Sequence, residues 1–352
     1  MKAKNKLIIS LLKHRDYNKF SKFIKDQWSH THIFVYDSTI FDWQHKGSAS
    51  YHYMSAFLEG DLIGVHGVIP LSHFDSHLPK DQIFLAFWLA NEDRVIGVGL
   101  QLYKGILKEY NPRFIGALGV NSKVLPVFKW QGFTTGTMNH HVLLSPYINE
   151  FKVAIVPNYY LRDNIKYKKI TQTVSHSFVR FDKFKLKRYD TRLIYTHQTP
   201  TKSDVYVINR YLEHPIYQYV VYALMKEDTV DALCVIRPVK VKNSIILRFV
   251  DYIGSNDLFS KLNNHLLDLL KEYKAEYIDI YSYGLPIDVL HESGFINRNS
   301  IPNLIIPDYF EPFEKKNVEV NYAYRCLGVN IPVRLFKADG DQDRPSRLLW
   351  IQ

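Results

Sequence analysis

The strongest chemical signal in the sequence is the run Arg94-Val95-Ile96-Gly97-Val98-Gly99. It follows the apolar segment Ile83 to Ala90, which predicts a strand buried on both faces, and precedes Leu100 to Tyr110, whose apolar residues recur at helical spacing. Glycines allow successive backbone N–H groups to point into one concavity, and a helix N-terminus adds partial positive charge. With the guanidinium of Arg94 nearby, the run predicts a binding site for a pyrophosphate.

Several side chains could accept a proton from a reacting group. They are His66 on a predicted hairpin strand, His140 and His141 on a later strand, His214 in a polar segment, and Glu92 beside the glycine run. An imidazole can take up a proton near neutral pH, although most histidines have structural roles. Successive strand residues point to opposite faces, so only one of His140 and His141 can face a given cleft. We take His66, His140 and His214 as the candidate catalytic residues.

The elements around these residues follow a regular order in the first half of the chain. The pattern predicts a strand hairpin, then a third strand, the glycine run and a helix, and finally strand, short helix, strand. The predicted elements not yet given are Tyr51 to Leu58, Leu62 to Pro70, Phe114 to Val120, Val124 to Trp130 and Thr134 to Leu144. This order is typical of an α+β unit in which helices flank a mixed sheet.

The second half repeats this order, so we predict an internal duplication with two domain-sized copies. The repeated elements are Tyr217 to Lys226, Ala232 to Val239, Ile245 to Ile253, Leu258 to Tyr273, Tyr277 to Tyr281 and Ile287 to Ser293. The predicted boundaries are 1–156 for the first domain, 157–201 for a connector, 202–328 for the second domain and 329–352 for a polar tail. The predicted fold class is therefore α+β, with two mixed sheets flanked by helices.

Two motifs resemble those of the Gcn5-related N-acetyltransferase (GNAT) family. The glycine run matches the family's Q/R-x-x-G-x-G/A loop, which binds the pyrophosphate of coenzyme A. Downstream, Asn121, Phe128 and Gly132-Phe133 match the family pattern N-x6-Y-x3-G-F except at the tyrosine, where Phe128 stands. The match covers Tyr51 to Leu144 in the family's order. The chain is thereby identified as a tandem GNAT-fold acyltransferase.

The resemblance implies an acyl-CoA site in the first copy, with acetyl-CoA or another acyl-CoA as co-substrate. It assigns coenzyme contacts to Leu89, Ala90, Asn91, Arg94, Val95, Ile96, Gly97, Val98, Gly99, Leu100, Asn121 and Phe128. In the family an amine attacks the thioester directly, a backbone N–H of the central strand polarises the carbonyl, and a tyrosine often protonates the leaving thiolate. Phe128 has no hydroxyl group, so water or another side chain would supply that proton.

The resemblance further implies an N-acetyltransferase whose acceptor is an amino sugar, nucleotide-linked, in bacterial surface-polysaccharide (O-antigen) biosynthesis. In the second copy, Asp251 to Asn256 has one glycine and no positive charge, so we expect that this copy has lost coenzyme binding and shapes the acceptor cleft. The polar run Lys337 to Pro345 is interpreted as a solvated terminal turn. In an alternative interpretation its aspartates and arginine contact sugar hydroxyls and a phosphate.

Composition argues against several other classes of protein. No apolar run approaches the roughly 20 residues of a membrane span. The two cysteines, Cys234 and Cys326, have no partner at metal-ligand spacing, so no metal site is expected. The net charge of +10 is spread along the chain apart from Arg180 to Arg188, interpreted as a solvated basic connector rather than a nucleic-acid surface. The expected location is cytoplasmic, and a homodimer is left open.

Two alternatives stay open at this level. A Fem-like enzyme, which passes an amino acid from aminoacyl-tRNA to a peptidoglycan precursor, would fit the length of 352 residues and the positive charge. The intact coenzyme loop and the lack of a helical-hairpin insertion argue against it. A non-catalytic binding protein would explain Phe128, and turnover of an acyl-CoA would distinguish it from both enzymes.

Overall fold

The computed structural model describes residues 6–163, 176–241, 243–308, 315–328 and 332–346. The chain forms two compact units. The first, here called the N-unit, contains Met1–Gly136, Asn321–Val329 and Gly340–Gln352, and the second, the C-unit, contains Thr137–Val320 and Asn330–Asp339. Each unit is therefore built from segments that are far apart in the sequence. Part of the predicted connector, 164–175, and of the predicted tail, 329–331 and 347–352, lies outside the described residues.

The strands are numbered along the chain. They are β1 (Leu7–Leu11), β2 (Tyr53–Leu58), β3 (Asp61–Pro70), β4 (Gln82–Ala90), β5 (Phe114–Leu118), β6 (Thr134–Thr137), β7 (Asn139–Leu144), β8 (Ser177–Phe181), β9 (Val220–Lys226), β10 (Thr229–Val241), β11 (Ser244–Gly254), β12 (Tyr277–Tyr283), β13 (Ile296–Asn297), β14 (Asn321–Cys326) and β15 (Leu335–Phe336).

The helices are numbered in the same way. They are α1 (Tyr17–Gln27), α2 (Ile33–Tyr36), α3 (Ser38–His45), α4 (Val98–Tyr110), α5 (Leu125–Trp130), α6 (Asn158–Asp163), α7 (Lys183–Arg188), α8 (Asp204–Val207), α9 (Asn256–Phe259), α10 (Asn263–Glu272) and α11 (Ile287–Glu292). Short 3-10 helices lie at His14–Asp16, Leu71–His73, Arg192–His197, Ser260–Leu262 and Arg298–Ser300, and a π-helical turn at Ile208–Leu212.

The sheet of the N-unit has seven strands in the order β1-β2-β3-β4-β5-β14-β6. Strands β1 to β4 are antiparallel neighbours, β4 and β5 are parallel, and β14 is antiparallel to β5. Adjacent residues of a strand face opposite sides of a sheet. Met54 packs with Leu102 and Ile106 of α4, whereas the ring of Tyr53 contacts Phe20 of α1. Helix α4 and helix α1 therefore cover opposite faces.

The C-unit contains an eight-stranded sheet in the order β13-β7-β12-β11-β10-β9-β8, with β15 added beside β12. Strands β9, β10 and β11 are antiparallel neighbours, and β11 is parallel to β12. Leu266, Leu269 and Leu270 of α10 are buried against one face of this sheet, with Leu247 and Ile278 in the same apolar core. The leucine spacing, which repeats about once per helical turn, explains why the segment forms a helix on a sheet.

Both units share one succession of elements. Three antiparallel strands are followed by a helix and by a strand parallel to the third, as β2-β3-β4, α4, β5 in the N-unit and β9-β10-β11, α10, β12 in the C-unit. The two hairpins even share a turn geometry, since Glu59 and Glu227 both have a φ of 54°. The predicted α+β fold with two mixed sheets flanked by helices is confirmed.

The pairing of strands from distant parts of the chain could not be predicted from the sequence. The segment Thr134 to Leu144 was expected to form one strand, but it forms β6 and β7, which belong to different sheets. Strand β14 returns from the second half of the chain to pair with β5, with Tyr322 opposite Leu118. No local pattern encodes such a pairing, because the two partners lie far apart in the sequence.

The basic segment Arg180 to Arg188, interpreted from the sequence as a solvated connector, has regular secondary structure. Its first residues end β8, and the rest forms α7, which begins after Asp182. The carboxylate of Asp182 accepts hydrogen bonds from the N–H groups of Phe184 and Lys185, at 3.0 and 2.9 Å. This N-cap satisfies backbone donors that a helix otherwise leaves unpaired.

The polar run near the C-terminus is not a solvated turn, so that interpretation is wrong. Asp341 and Arg344 are buried in the N-unit. The Asp341 carboxylate accepts hydrogen bonds from Gln44 Nε2 at 2.7 Å and from Arg344 Nε and Nη2 at 2.5 and 3.0 Å, and the guanidinium lies 4.5 Å from the centre of the Phe34 ring. Burial raises the pKa of Asp341, but the Arg344 charge outweighs it and holds the pKa below its usual value.

We predict that Asp341→Ala destabilises the N-unit by about 3 kcal/mol, because it leaves the Arg344 guanidinium buried without its carboxylate. A lower urea concentration at the unfolding midpoint would report the loss. Asp26→Ala is the matched control, since it removes a carboxylate whose ion pair with Lys22 is exposed and should leave the midpoint nearly unchanged. Equal midpoints for the two variants would contradict the buried pairing.

Candidate functional site

The glycine run joins the end of β4 to the start of α4. Gly97 has a φ of +78°, a left-handed conformation that costs other residues about 1 kcal/mol or more, and it caps α4. A Cβ atom at Gly99 would lie 3.0 Å from a carboxylate oxygen of Glu92 and 3.2 Å from the indole of Trp88. The absence of a side chain at Gly99 therefore leaves room for the Glu92 carboxylate at the N-terminus of the helix.

The backbone N–H groups of Gly97 and Gly99 hold an anionic group. Glu92 Oε2 accepts a hydrogen bond from Gly97 N at 2.5 Å, and Glu92 Oε1 accepts one from Gly99 N at 3.0 Å. A carboxylate and a phosphate group both present oxygens with negative charge to such donors. The two N–H groups are therefore arranged to hold the oxygens of an anionic group.

Two other loop side chains extend into solvent. The guanidinium of Arg94 lies 3.5 Å from the carboxylate of Asp61, and the Arg94 side chain is 45% exposed. Ile96 is 93% exposed, which is unusual for an isoleucine in a folded protein. A cationic and an apolar side chain are thus accessible beside the N–H groups.

Strands β4 and β5 are paired over only part of their length. Their parallel ladder runs from Gln82–Phe114 to Leu85–Ala117, and β4 then continues to Ala90. Residues 86–90 are all partly exposed, whereas residues 83–85 are buried. In the described part of the chain no further strand enters the gap. We call this gap the N-wedge; it contains the predicted contacts Leu89 and Ala90 and ends at Asn91.

A bulge distorts β4 at the N-wedge. The pairing of β3 with β4 places His66 opposite Trp88 and Val68 opposite Leu85, so β4 has one more residue than β3 between these pairs. A bulge of this kind leaves one residue out of the ladder and re-aims its backbone groups. The extra residue lies at 86–87, within the partly exposed stretch of β4.

His66 lies beside this bulge. Its ring is stacked on the Trp88 indole, with ring centres 4.5 Å apart and planes 4° from parallel. Its Nδ1 atom is buried, and among the described residues it has no hydrogen-bond partner. Burial lowers the pKa of His66 to about 3, so the imidazole is neutral at physiological pH.

The remaining predicted coenzyme contacts follow β5. Asn121 is exposed, and its Oδ1 accepts a hydrogen bond from Lys123 N at 3.0 Å in the turn before α5. Phe128 is buried, with its ring centre 5.0 Å from that of Phe133. In the same apolar cluster lies the buried hydroxyl of Tyr103, which has no partner within the described residues. In the sequence, Tyr103 has the spacing of an ordinary core residue of a helix.

His140 lies in the C-unit, on β7, within a buried ionic network. Its Nε2 is 2.9 Å from the Asp279 carboxylate and its Nδ1 is 3.1 Å from the Arg298 guanidinium. Arg248 also donates to both oxygens of Asp279, at 3.1 and 2.9 Å. Burial lowers the pKa of His140 even though Asp279 raises it. Since both ring nitrogens have partners, this histidine has the contacts of a structural residue.

The other candidate histidines are also in the C-unit. His214 Nδ1 accepts hydrogen bonds from the N–H groups of Ile216 and Tyr217, at 3.1 and 2.9 Å, and so holds a turn. His141 is buried, and burial lowers its pKa to about 4. Of the three candidate catalytic histidines, His66 alone shares the N-unit with the glycine run.

The C-unit has a corresponding gap between β11 and β12, which we call the C-wedge. The parallel ladder ends at Phe249–Ile280. Beyond it, β15 pairs with β12, with Phe336 opposite Ser282, and Ala338 N donates to Val250 O at 3.3 Å. The part of β11 that lines this gap is buried throughout. The chain's own backbone therefore occupies the C-wedge.

The segment that enters the C-wedge carries Asp339, which is buried with a second carboxylate. Lys202 Nζ lies 2.6 Å from Asp251 and 2.9 Å from Asp339, and Tyr211 Oη donates to Asp251 at 2.6 Å. Two carboxyl groups here share one ammonium group. Burial, aided by the charge of Asp251 and opposed by Lys202, raises the pKa of Asp339 to about 6.

Two searches of the described residues gave negative results. No group of three or more His, Cys, Asp and Glu side chains in the described ranges is arranged to hold a metal ion. None of the described helices has both the length and the apolar character needed to span a bilayer.

Known proteins resemble this chain in structure. Comparison of the sequence with family models and with curated proteins finds no match. A GCN5-related N-acetyltransferase from Anabaena variabilis is similar, with a TM-score of 0.54 and 12% identity over 92% of this chain and 73% of that one. So is a protein of unknown function from Enterococcus faecalis, described as a probable N-acyltransferase, with a TM-score of 0.53 and 7% identity over 92% of this chain and 73% of that one.

A further GCN5-related N-acetyltransferase, from Kribbella flavida, has a TM-score of 0.50 and 8% identity over 92% of this chain and 71% of that one. At such identities the likeness establishes the fold. The structures agree with the fold expected from the two sequence motifs.

We predict that the contribution of Asp339 to the stability of the C-unit is lost as the pH rises through 6, because the pKa of Asp339 is raised from 3.8 to about 6 on folding. The contribution of Asp339 to the free energy of unfolding is complete below pH 3.8. It amounts to about 3 kcal/mol, at 1.4 kcal/mol per pKa unit. Urea unfolding of the wild type and Asp339→Asn between pH 4 and 8 measures it. With rising pH the wild type should lose stability relative to the variant, and parallel pH dependences would contradict the burial of Asp339 beside Asp251 and Lys202.

Proposed function

We propose that the protein is an acyl-CoA-dependent N-acyltransferase whose donor site lies in the N-unit. The observation that carries the proposal is the pair of N–H groups of Gly97 and Gly99, which hold a carboxylate at the N-terminus of α4. A diphosphate at this place would meet the same donors, the helix dipole and the Arg94 guanidinium. Coenzyme A carries its diphosphate between the nucleotide and the pantetheine arm.

The N-wedge suits the pantetheine arm. This arm is an extended chain with amide groups, and the N-wedge has one edge of backbone, residues 86–90, that is partly exposed and continues past its ladder. The C-wedge supports the assignment by analogy, because there an extended segment with amide groups, β15 and the residues after it, bonds to both strands. A ligand in the N-wedge would make hydrogen bonds of the same kind.

The proposed reaction is attack by a neutral amine on the thioester carbonyl. A bond forms between nitrogen and the acyl carbon, the carbon–sulfur bond breaks, and the nitrogen loses a proton while the thiolate gains one. The β4 bulge at 86–87 would present an N–H group to the carbonyl oxygen as negative charge develops. His66, with a buried Nδ1 at this bulge, is the candidate to contact the amine.

The two units would be a tandem pair of GNAT folds in which the N-unit keeps coenzyme binding. Occupation of the C-wedge by β15 supports a stoichiometry of one coenzyme per chain. For the acceptor we propose an amino sugar, nucleotide-linked, in bacterial surface glycan synthesis, and for the location the cytoplasm, where coenzyme A thioesters are made. Asp341 and Arg344 do not add support for sugar binding, because they bond to each other.

The donor site is tested by a substitution of Gly97. Gly97→Glu should abolish binding of acetyl-CoA, because it places a carboxylate beside the diphosphate. Isothermal titration should give one site per chain for the wild type and no heat of binding for the variant. Release of free thiol from acetyl-CoA in the presence of amino sugars then tests turnover.

Gly328→Glu is the control for backbone strain. Gly328 has a φ of +71° and, like Gly97, open space around the position of a Cβ atom, but it lies beyond β14, near the start of β5, at the opposite end of the sheet from the loop. The Gly328→Glu variant should bind acetyl-CoA as the wild type does. Loss of binding in both variants, or in neither, would refute the assignment of the loop.

The role of His66 is tested by a substitution of its ring. His66→Phe keeps an aromatic ring against Trp88 but removes the ring nitrogens, so kcat should fall about 100-fold while the Kd for acetyl-CoA changes little. His141→Phe is the control, since His141 is likewise buried but lies in the C-unit; its kcat should stay near that of the wild type. A His66→Phe enzyme with undiminished kcat would exclude His66 from the reaction.

A further inference from the structure

Glu92 occupies the donors that the diphosphate needs. Its two carboxylate oxygens accept from Gly97 N and Gly99 N, at 2.5 and 3.0 Å. We propose that Glu92 is a built-in competitor for the anion site, which a ligand must displace in order to bind. This inference rests on the proposed function, since it concerns the affinity and selectivity of the same loop.

The geometry explains how Glu92 can both hold the loop and leave it. Unpaired N–H groups at a helix N-terminus are costly, and Glu92 satisfies two of them in the free protein. The residue is exposed, so its carboxylate regains full hydration when it moves away. Release of Glu92 therefore needs rotation of one side chain and no rearrangement of the core.

The cation at the loop has an acidic partner of its own. The Arg94 guanidinium lies 3.5 Å from the Asp61 carboxylate. In the free protein the N–H groups and the guanidinium are thus each next to a carboxylate from the N-unit. A ligand with a single negative charge gains little binding free energy by displacing these two carboxylates. A diphosphate carries more charge and more acceptor oxygens. The competitor therefore favours diphosphates over simple carboxylates.

The test compares Glu92→Gln with Asp93→Asn. Each variant removes one negative charge from the same exposed loop, but Glu92 is the residue bonded to the glycine N–H groups. Isothermal titration with coenzyme A should show a Kd about fivefold to tenfold lower for Glu92→Gln and a change of at most about twofold for Asp93→Asn. The gain in affinity of Glu92→Gln should persist with dephospho-coenzyme A, which keeps the diphosphate. It should become smaller at high salt concentration.

The outcomes separate the two proposals. Equal affinities of the wild type, Glu92→Gln and Asp93→Asn for coenzyme A would overturn the competitor role while leaving the donor site intact. A weaker affinity for Glu92→Gln, with an unchanged melting temperature, would also overturn it and would make Glu92 a support of the bound loop. Failure of both the wild type and Glu92→Gln to bind coenzyme A would overturn the proposed function together with the competitor role.

Discussion

Each sheet of this protein contains two parallel strands that are hydrogen-bonded at one end and separate at the other. Backbone groups that leave a ladder must find other partners, because an unpaired buried N–H or C=O costs about 1–3 kcal/mol. In the C-unit the chain supplies those partners, through β15 and the hydrogen bond from Ala338 N to Val250 O. In the N-unit the corresponding stretch of β4 stays partly exposed. The proposed division into a structural C-unit and a coenzyme-binding N-unit rests on this one difference.

The ion pair at the loop of the N-unit differs from the ionic network in the core of the C-unit. At the loop, Arg94 and Asp61 are both exposed and lie 3.5 Å apart, so the proposed ligand could replace Asp61. In the C-unit, Arg248, Asp279 and His140 form a buried network with distances near 3 Å. A buried charge that loses its partner costs several kcal/mol. Such a network fixes a structure, whereas the exposed pairs of the loop leave room for exchange.

The sequence predicted much of the fold and the position of the loop, but it did not distinguish among the candidate catalytic histidines. Strand and helix periods predicted β2, β3, β4 and α4 closely, because each reflects a local apolar pattern. His66, His140 and His214 were equivalent candidates in the sequence. The structure separated them through contacts: His140 is bonded at both nitrogens, His214 Nδ1 holds a turn, and His66 Nδ1 has no partner among the described residues.

What the sequence by itself determined is therefore local: the glycine run at a strand–helix junction, the repeated order of strands and helices, and the replacement of a tyrosine by Phe128. These depend on residue type and spacing within one or two elements. The tertiary structure decided which unit each returning segment joins, so that β14 completes one sheet while β15 closes the C-wedge. It also decided that Asp341 and Arg344 are buried together. Pairing between distant segments depends on the whole sheet, and no local spacing records it.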